Sequence, residues 1–275
     1  MSLNSVNTNI GAIVALQSLN RTNDDLATTQ KRISTGFRVA DARDDGAAFA
    51  VAERVRSEVA ATRSANEQLG GVKGLVNVAS KALENVSTTL VKLREVVVKL
   101  ADGTISAEQQ TQYKAQAKEL TLNIKGFIED ASYNGRNVLN TTTSQKVVRN
   151  GTGDLYSFAA YNALTSIYNA VSGANAYTTT TAKGALTGTG GFSNATTRTL
   201  TQLNNFGNYG RYIDNQINYN KQKIDAQESG LGALIDADLA KESARLQALQ
   251  IRQQLGTQSL SIANQAPQAL LSLFR

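Results

Sequence analysis

Carboxylate and guanidinium side chains alternate over a short stretch near the beginning of the chain, FRVADARDDG. The stretch contains Asp41, Asp44 and Asp45 together with Arg38 and Arg43. Closely spaced carboxylates are the groups that hydrolysis of glycosidic bonds uses, one as acid and one as base. Carboxylates just before a helix are also stabilised by the positive end of the helix dipole. Because a long helical pattern follows at once, we interpret these residues as the approach to a helix.

The composition removes most other kinds of chemistry. The chain of 275 residues contains no histidine and no cysteine. Imidazole and thiolate supply the usual zinc ligands, general bases and activated nucleophiles. The glycine-rich Gly151-Thr152-Gly153 does not stand between a strand and a helix, where a phosphate-binding loop would. We therefore predict no enzyme, no metal and no cofactor.

Charge and hydropathy limit the partners. The net charge is +6, from 28 basic and 22 acidic residues, and the basic residues are scattered. Nucleic-acid binding requires a basic stripe or patch, so we expect no nucleic-acid partner. No run of about 18 apolar residues predicts a membrane span. The first charged side chain is Arg21, so the basic start of a cleaved secretory signal is missing.

Two stretches carry apolar residues at alternating spacings of four and three. They run over residues 51–100 and 203–234. This repeat is typical of long helices that pack in a coiled-coil-like bundle. Between them, Ser106 and Gln109 have the spacing of a capping box and predict the start of another helix. The predicted fold class is mainly α, with long antiparallel helices in a bundle.

The segment of residues 140–199 lacks this periodicity and is rich in Thr, Gly, Ser, Asn and Ala. Such composition is typical of loops and turns. Short β-prone runs at residues 146–148 and 155–158 predict a hairpin. We expect a small irregular region with a β-hairpin at about 136–198.

The two ends of the chain are amphipathic but uncharged. Residues 1–20 and 253–274 contain no charged side chain. Neutral polar groups are buried at lower cost than charges, and ordering the backbone of such ends costs about 1–2 kcal/mol per residue. We therefore predict ends that are disordered in the single subunit and buried between many subunits; an intramolecular coiled coil is the alternative. The predicted interface residues are Leu3, Val6, Ile10, Ile13, Leu246, Leu249, Leu260, Leu270, Leu273 and Phe274.

Several motifs resemble those of bacterial flagellins, in the right order along nearly the whole chain. They are LNSVNTN, ISTGFRVADARDDGAAFAVAERVRSE, YNGRNVL, and GTQSLSIANQ followed by APQALLSLFR. The segment DADLAKESARLQALQIRQQLG is most similar to the short flagellins of alphaproteobacteria.

The resemblance implies an architecture of two parts. Residues 1–40 and 235–275 would form D0, a terminal two-helix coiled coil. Residues 41–234 would form D1, the helical body, and the large outer domains of enteric flagellins would be absent. Arg38, Arg43, Asp44 and Asp45 would then belong to the spoke that leads into D1.

The resemblance also implies a function. The chain would be a structural subunit that polymerises into the extracellular flagellar filament for swimming. It would be secreted unfolded through the flagellar type III export apparatus, and its partners would be further copies of itself, the filament cap and hook-associated proteins. A hook-filament junction protein is the alternative, although the ending LLSLFR favours flagellin. An enzymatic flagellin with a zinc protease insert needs histidines that this chain lacks.

Two surface properties of flagellins also have counterparts here. Lys92, Arg94 and Glu95 lie in a segment resembling the one that an innate immune receptor reads in enteric flagellins. Those flagellins carry arginine at the position of Lys92, and lysine does not replace a bidentate or stacked arginine; we therefore do not expect receptor recognition. The outward-facing region of the family is often O-glycosylated, and the candidate acceptors are Thr178, Thr179, Thr180, Thr181, Ser193, Thr196 and Thr197.

Overall fold

The computed structural model describes residues 8–187 and 190–272, with the backbone alone for 266–272. The helices are α1 Ile10–Thr35, α2 Gly46–Leu100, α3 Ala107–Glu129, α4 Asn169–Val171, α5 Thr179–Leu186, α6 Gly191–Ile235 and α7 Leu239–Ser272. The strands form two antiparallel hairpins, β1 Ser132–Tyr133 with β2 Arg136–Asn137 and β3 Gln145–Val148 with β4 Leu155–Phe158. The predicted mainly α fold with long helices is confirmed.

The chain divides into two compact units, which we name the terminal unit and the body unit. The terminal unit comprises residues 1–57 and 226–275, and the body unit comprises residues 58–225. The predicted D0 and D1 boundaries at residues 40 and 235 remain a proposal. None of the helices in the described ranges combines the length and apolarity that crossing a membrane requires.

The core of the body unit follows the repeat that the sequence predicts for α2. From Ala65 to Leu100 nearly every position of that repeat is buried, and Leu69, Leu83 and Leu93 are fully buried. The repeat fails at its first position, because Val51 is 43% exposed. There Ala48 and Ala52 face inward instead and join the separate small core of the terminal unit.

Local polar signals set the bounds of α3. The hydroxyl of Ser106 accepts from the backbone N–H of Gln109, whose side chain accepts from the N–H of Ser106. The predicted capping box is therefore confirmed. After α3, Asn134 and Gly135 adopt positive φ and form the tight turn between β1 and β2, as an Asn-Gly pair favours.

The hairpin β3–β4 is confirmed within a residue of its predicted position. The loop predicted to continue to residue 199 is wrong, because helical turns occupy most of residues 164–186 and α6 begins at Gly191. Alanines such as Ala174, Ala182 and Ala195 are fully buried there. Because these buried residues are small, they form no apolar repeat that could be recognised in the sequence. Tertiary packing therefore determines the helical conformation of this segment.

Candidate functional site

The ends of the chain meet as an antiparallel pair of helices in the terminal unit. Asn9 caps the first turn of α1 and also donates to the backbone oxygen of Ala263 in α7, at 2.7 Å. Farther along, the amide of Gln253 donates to Asn23 at 2.8 Å. At the other end of the pair, Arg32 and Glu242 form an ion pair at 3.3 Å. Residue numbers rise along one helix as they fall along the other, so the pair is antiparallel.

The face between the two helices is built largely from small and neutral residues. We call it the seam. On both helices the less exposed residues recur at spacings of three and four. The seam residues are Ala12, Ala15, Leu19, Thr22, Leu26, Thr29 and Ile33 on α1, and Glu242, Leu246, Leu249, Gln253, Gly256, Leu260 and Ala263 on α7.

The predicted interface residues divide between two locations. Leu246, Leu249 and Leu260 lie in the seam, where they pair the helices of one chain. The intramolecular coiled coil that the sequence left open is therefore present, while the expected disorder of the ends in a single subunit stays a prediction. Leu3, Val6, Leu273 and Phe274, as well as the side chain of Leu270, lie outside the described residues.

Ile10 and Ile13 occupy a different side of α1, where they are 47% and 57% exposed. Val14, which the sequence reasoning missed, is 60% exposed next to them. At 100° per residue Ile10 and Ile13 lie away from the seam, whereas Val14 lines a groove beside it. We call this surface the α1 outer face.

A matching surface covers α7. Ile251, Leu255 and Ile262 are 59%, 62% and 61% exposed. The helical spacing places Ile251 and Ile262 away from the seam, whereas Leu255 lines the same groove beside the seam as Val14. We call it the α7 outer face. The interface residues predicted on α7 did not include these three, because Leu246, Leu249 and Leu260 belong to the seam. The spacing of four and seven in the outer face was the signal that could have identified its residues.

The connection after α1 is held by the carboxylates that the sequence singled out. Asp45 accepts from the backbone N–H groups of Ala47 and Ala48 and so caps α2. Asp44 accepts from the N–H groups of Ala40 and Asp41. These contacts are those of a folded turn, as the helix-approach interpretation predicts.

The arginines of this connection have unequal surroundings. The guanidinium of Arg38 donates to the backbone oxygen of Leu234. The backbone N–H of Arg38 donates to the backbone oxygen of Ile235 at 2.7 Å. Arg43 has a side chain that is 93% exposed and only a 3.4 Å contact to Asp41. Arg38 therefore ties the chain after α1 to the end of α6, whereas the side chain of Arg43 contributes little to the turn.

Lys31 links two of the carboxylates and makes the turn sensitive to acid. Its ammonium lies 2.8 Å from Asp41 and 3.0 Å from Asp44. The hydrogen bond from Lys31, followed by the one from the N–H of Arg43, lowers the pKa of Asp41 from 3.8 to about 2. The pKa of Asp44 is lowered as well, chiefly by Lys31.

We expect this turn to lose stability in acid. Because the folded pKa of Asp41 is below its unfolded value, its stabilisation is present above the unfolded value and is lost as the pH falls from about 4 to about 2. Thermal unfolding followed by circular dichroism at several pH values should show a smaller acid-induced decrease in Lys31→Met than in the parent chain. Lys81→Met, which removes an exposed pair with Glu84, is the control and should behave like the parent.

The sequence matches the models of one known protein family over most of its length. The model of the bacterial flagellin N-terminal helical region matches residues 6–144, and that of the C-terminal helical region matches residues 191–274. The chain belongs to the bacterial flagellin family. This flagellin is therefore a structural subunit of the flagellar filament, and the family is one of structural proteins.

Individual relatives agree with a short flagellin of the alphaproteobacterial type. Flagellin FljK of Caulobacter vibrioides is 35% identical, over 100% of both chains. A flagellin of Brucella melitensis is 33% identical, over 98% of this chain and 99% of the relative. A putative flagellar hook-associated protein from Vibrio parahaemolyticus is 12% identical, covering 83% of this chain and 100% of its own, with a TM-score of 0.40. So low a score distinguishes no role, and nothing favours the hook-filament junction alternative.

In this flagellin the receptor-like segment lies on α2 in the body unit. Lys92, Arg94 and Glu95 are exposed, while Leu93 between them and Val96 after them are buried in the core. The three charged residues are therefore accessible from outside the subunit. We do not propose receptor recognition, because Lys92 lacks the guanidinium group.

The candidate acceptors for glycosylation differ in their availability. The hydroxyls of Thr178 and Thr181 bond each other and the backbone in the capping box of α5. Thr180, Ser193 and Thr197 are exposed, and Thr179 and Thr196 are half-buried. Glycosylation of this flagellin thus stays a prediction, and it is most accessible at Thr180, Ser193 and Thr197, which are exposed and lie outside the cap.

Proposed function

We propose that the α1–α7 pair is the assembly element of this flagellin, the D0 part that the family resemblance implies. The observation that carries the proposal is the location of the two outer faces. The seam already satisfies the pairing of the helices within one chain. Apolar residues that remain exposed outside the seam need another occupant, and further copies of the same chain supply it.

The arrangement favours a polymer over a closed oligomer. The α1 and α7 outer faces lie on different helices and differ in sequence, so a contact between them is heterologous. Heterologous contacts that do not close on themselves generate open helical assemblies. Each large apolar side chain that becomes fully buried contributes about 1.5–3 kcal/mol.

The uncharged ends suit burial on several sides. The α1 outer face lies among residues 1–20, which carry no charge, and α7 has none from residue 253 to residue 274. Neutral amides and hydroxyls can pair with neighbouring chains at much lower desolvation cost than ammonium or carboxylate groups. We propose D0 as residues 1–40 and 235–275, and D1 as residues 41–234.

The remaining parts of the proposal rest on family membership. The subunit is secreted unfolded through the flagellar type III export apparatus and adds to an extracellular filament beneath a cap. Hook-associated proteins join that filament to the hook. The two outer faces are the surfaces on which these contacts would be sought first.

Seeded elongation tests the proposal. Sheared filament ends are mixed with the purified full chain or with a chain truncated after Gln265, and the products are followed by sedimentation and electron microscopy. We expect the full chain to elongate the seeds and the truncated chain to stay soluble, because the truncation removes the last apolar side chains of the uncharged end. Equal elongation by both chains would contradict a role of this end in assembly.

A further inference from the structure

A charged residue is buried in the seam where the rest of that face is neutral. Glu242 is 8% exposed, and the oxygen Oε1 lies 3.3 Å from Nη1 of Arg32. Thr29, one helical turn before Arg32 on α1, is 1% exposed. Residues three apart on a helix are neighbours, so Thr29 and Arg32 lie side by side opposite α7.

Each of these three side chains also has a buried polar atom without a partner. Within the part of the chain that the structure describes, Oγ1 of Thr29, Nε of Arg32 and Oε2 of Glu242 make no hydrogen bond. Buried polar atoms of native proteins almost always bond to protein or to ordered water. A water needs two to four polar partners, and here a donor, a carboxylate oxygen and a hydroxyl are available.

The energetics of the ion pair indicate a role other than stability. A buried ion pair repays its desolvation cost poorly, and apolar residues of similar volume are often as stable or more stable. The best-attested use of buried polar residues in coiled coils is to fix the register.

The other polar contacts that join the two helices side chain to side chain, Gln253 with Asn23 and Arg245 with Asp25, are exposed and so specify the register weakly. Ala12, Ala15, Gly256 and Ala263 have small side chains that fit many opposing positions. A slip by one heptad would still bring mostly small or apolar residues together. It would, however, separate Arg32 from Glu242 and leave the buried carboxylate of Glu242 without its charged partner, which is destabilising.

We propose that Thr29, Arg32 and Glu242 bind a buried water and form a polar lock that fixes the register of α1 against α7. The register determines which residues of the two outer faces lie at the same level. In the observed register Asn9 contacts Ala263, so the α1 outer face is level with Ile262. The lock adds a determinant of alignment to the proposed assembly element.

Cysteine pairs can report the register, because the chain has no cysteine of its own. Asn23→Cys with Gln253→Cys marks the observed register, in which the two amide side chains are 2.8 Å apart. Asn23→Cys with Leu260→Cys marks a slip of one heptad. Each pair is placed in the parent chain and in an Arg32→Leu, Glu242→Leu chain, and sheared filaments are treated with a short bismaleimide.

We expect only the first pair to cross-link within the parent subunit. In the leucine chain the second pair should cross-link as well, with a corresponding loss from the first. Cross-linking of the first pair alone in both chains would overturn the lock. Because parent filaments are prepared first, a failure of the proposed function is seen as the absence of filaments and is distinct from a failure of the lock.

Thr29→Val tests the water and does not depend on the leucine chain forming filaments. If the hydroxyl binds water, the variant should lower the temperature at which filaments dissociate, as loss of a bonded buried hydroxyl does. The control is Thr121→Val, whose hydroxyl is equally buried and donates to the oxygen of Ala117 at 2.7 Å. A rise in the dissociation temperature with Thr29→Val would show an unbonded hydroxyl and would overturn the water site.

Discussion

Replacing both Ile251 and Leu255 with glutamine is expected to abolish seeded filament elongation while leaving the helix content of the subunit unchanged. Both side chains lie on the α7 outer face, 59% and 62% exposed, and neither belongs to the seam. In a single chain the substitution exchanges exposed apolar atoms for exposed amides, which usually changes stability by less than about 0.5 kcal/mol.

In the polymer the same substitution is costly. Two apolar side chains that become buried contribute about 3–6 kcal/mol together, and every 1.4 kcal/mol changes an equilibrium constant tenfold. The concentration of subunits needed for elongation should therefore rise by at least about 100-fold. Sedimentation of seeded mixtures over a range of subunit concentrations measures this directly.

Two further variants separate the outer face from other effects. Leu155→Gln changes an apolar residue that is 56% exposed in the body unit, and we expect it to elongate seeds far better than the double variant. Leu249→Gln changes a seam residue that is 3% exposed and should weaken the helix pair itself. Elongation of the double variant at the parent concentration would show that the α7 outer face is not an assembly surface.

The long helices could be predicted because large side chains mark their buried faces. In α2, Leu69, Leu83 and Leu93 stand at fixed steps of a single repeat, and all are fully buried. The cap of α3 could also be predicted, because the side chains of Ser106 and Gln109 accept hydrogen bonds from backbone N–H groups at the start of the same helix. Signals of this kind are local and do not depend on what else packs against the helix.

The assembly helices were harder to interpret because each has two sides that are partly apolar. In α1, the apolar residues Ile10 and Ile13 belong to the outer face, whereas Leu19 and Leu26 belong to the seam. A single apolar repeat that includes all four of these residues combines two different surfaces of the helix. The seam itself contains Ala12 and Ala15, whose small side chains are too weakly hydrophobic to identify a buried helix face from the sequence alone.

The charged residues between α1 and α2 show the opposite case, in which the sequence predicted the approach to a helix but not the ion-pair partners. Asp45 caps α2 as expected. Lys31, ten residues before Asp41 and in another element, could not be paired with the carboxylates by spacing. The ion pairs depend on the turn at Gly36, where φ is +74° and reverses the chain after α1.

In the body unit, Gly151→Val is expected to displace the hairpin β3–β4 from the helices. A β-carbon at position 151 would lie 2.6 Å from the hydroxyl oxygen of Thr62 and 3.1 Å from the backbone oxygen of Glu58. Because the backbone of α2 cannot move away, the hairpin must shift. Overpacking of this kind typically costs about 1–3 kcal/mol.

The shift should also break the contacts that hold the hairpin. Asn220, fully buried on α6, donates to the backbone oxygen of Arg149 at 2.9 Å. Tyr156 stacks on Tyr212 with ring centroids 3.9 Å apart. Both contacts require the hairpin to stay within its present distance of the helices, so their loss adds to the steric cost.

Thermal unfolding of the full chain measures the combined effect, which should lower the midpoint by several degrees, since about 1 kcal/mol corresponds to about 2–4 °C in a domain of this size. Gly103→Val is the matched control, because no atom lies within 4 Å of a β-carbon at that position. If the two variants unfold at the same temperature, the hairpin tolerates the added side chain and its close approach to α2 does not stabilise the body unit. If Gly151→Val alone is destabilised, the missing β-carbon is what allows the hairpin to complete the core.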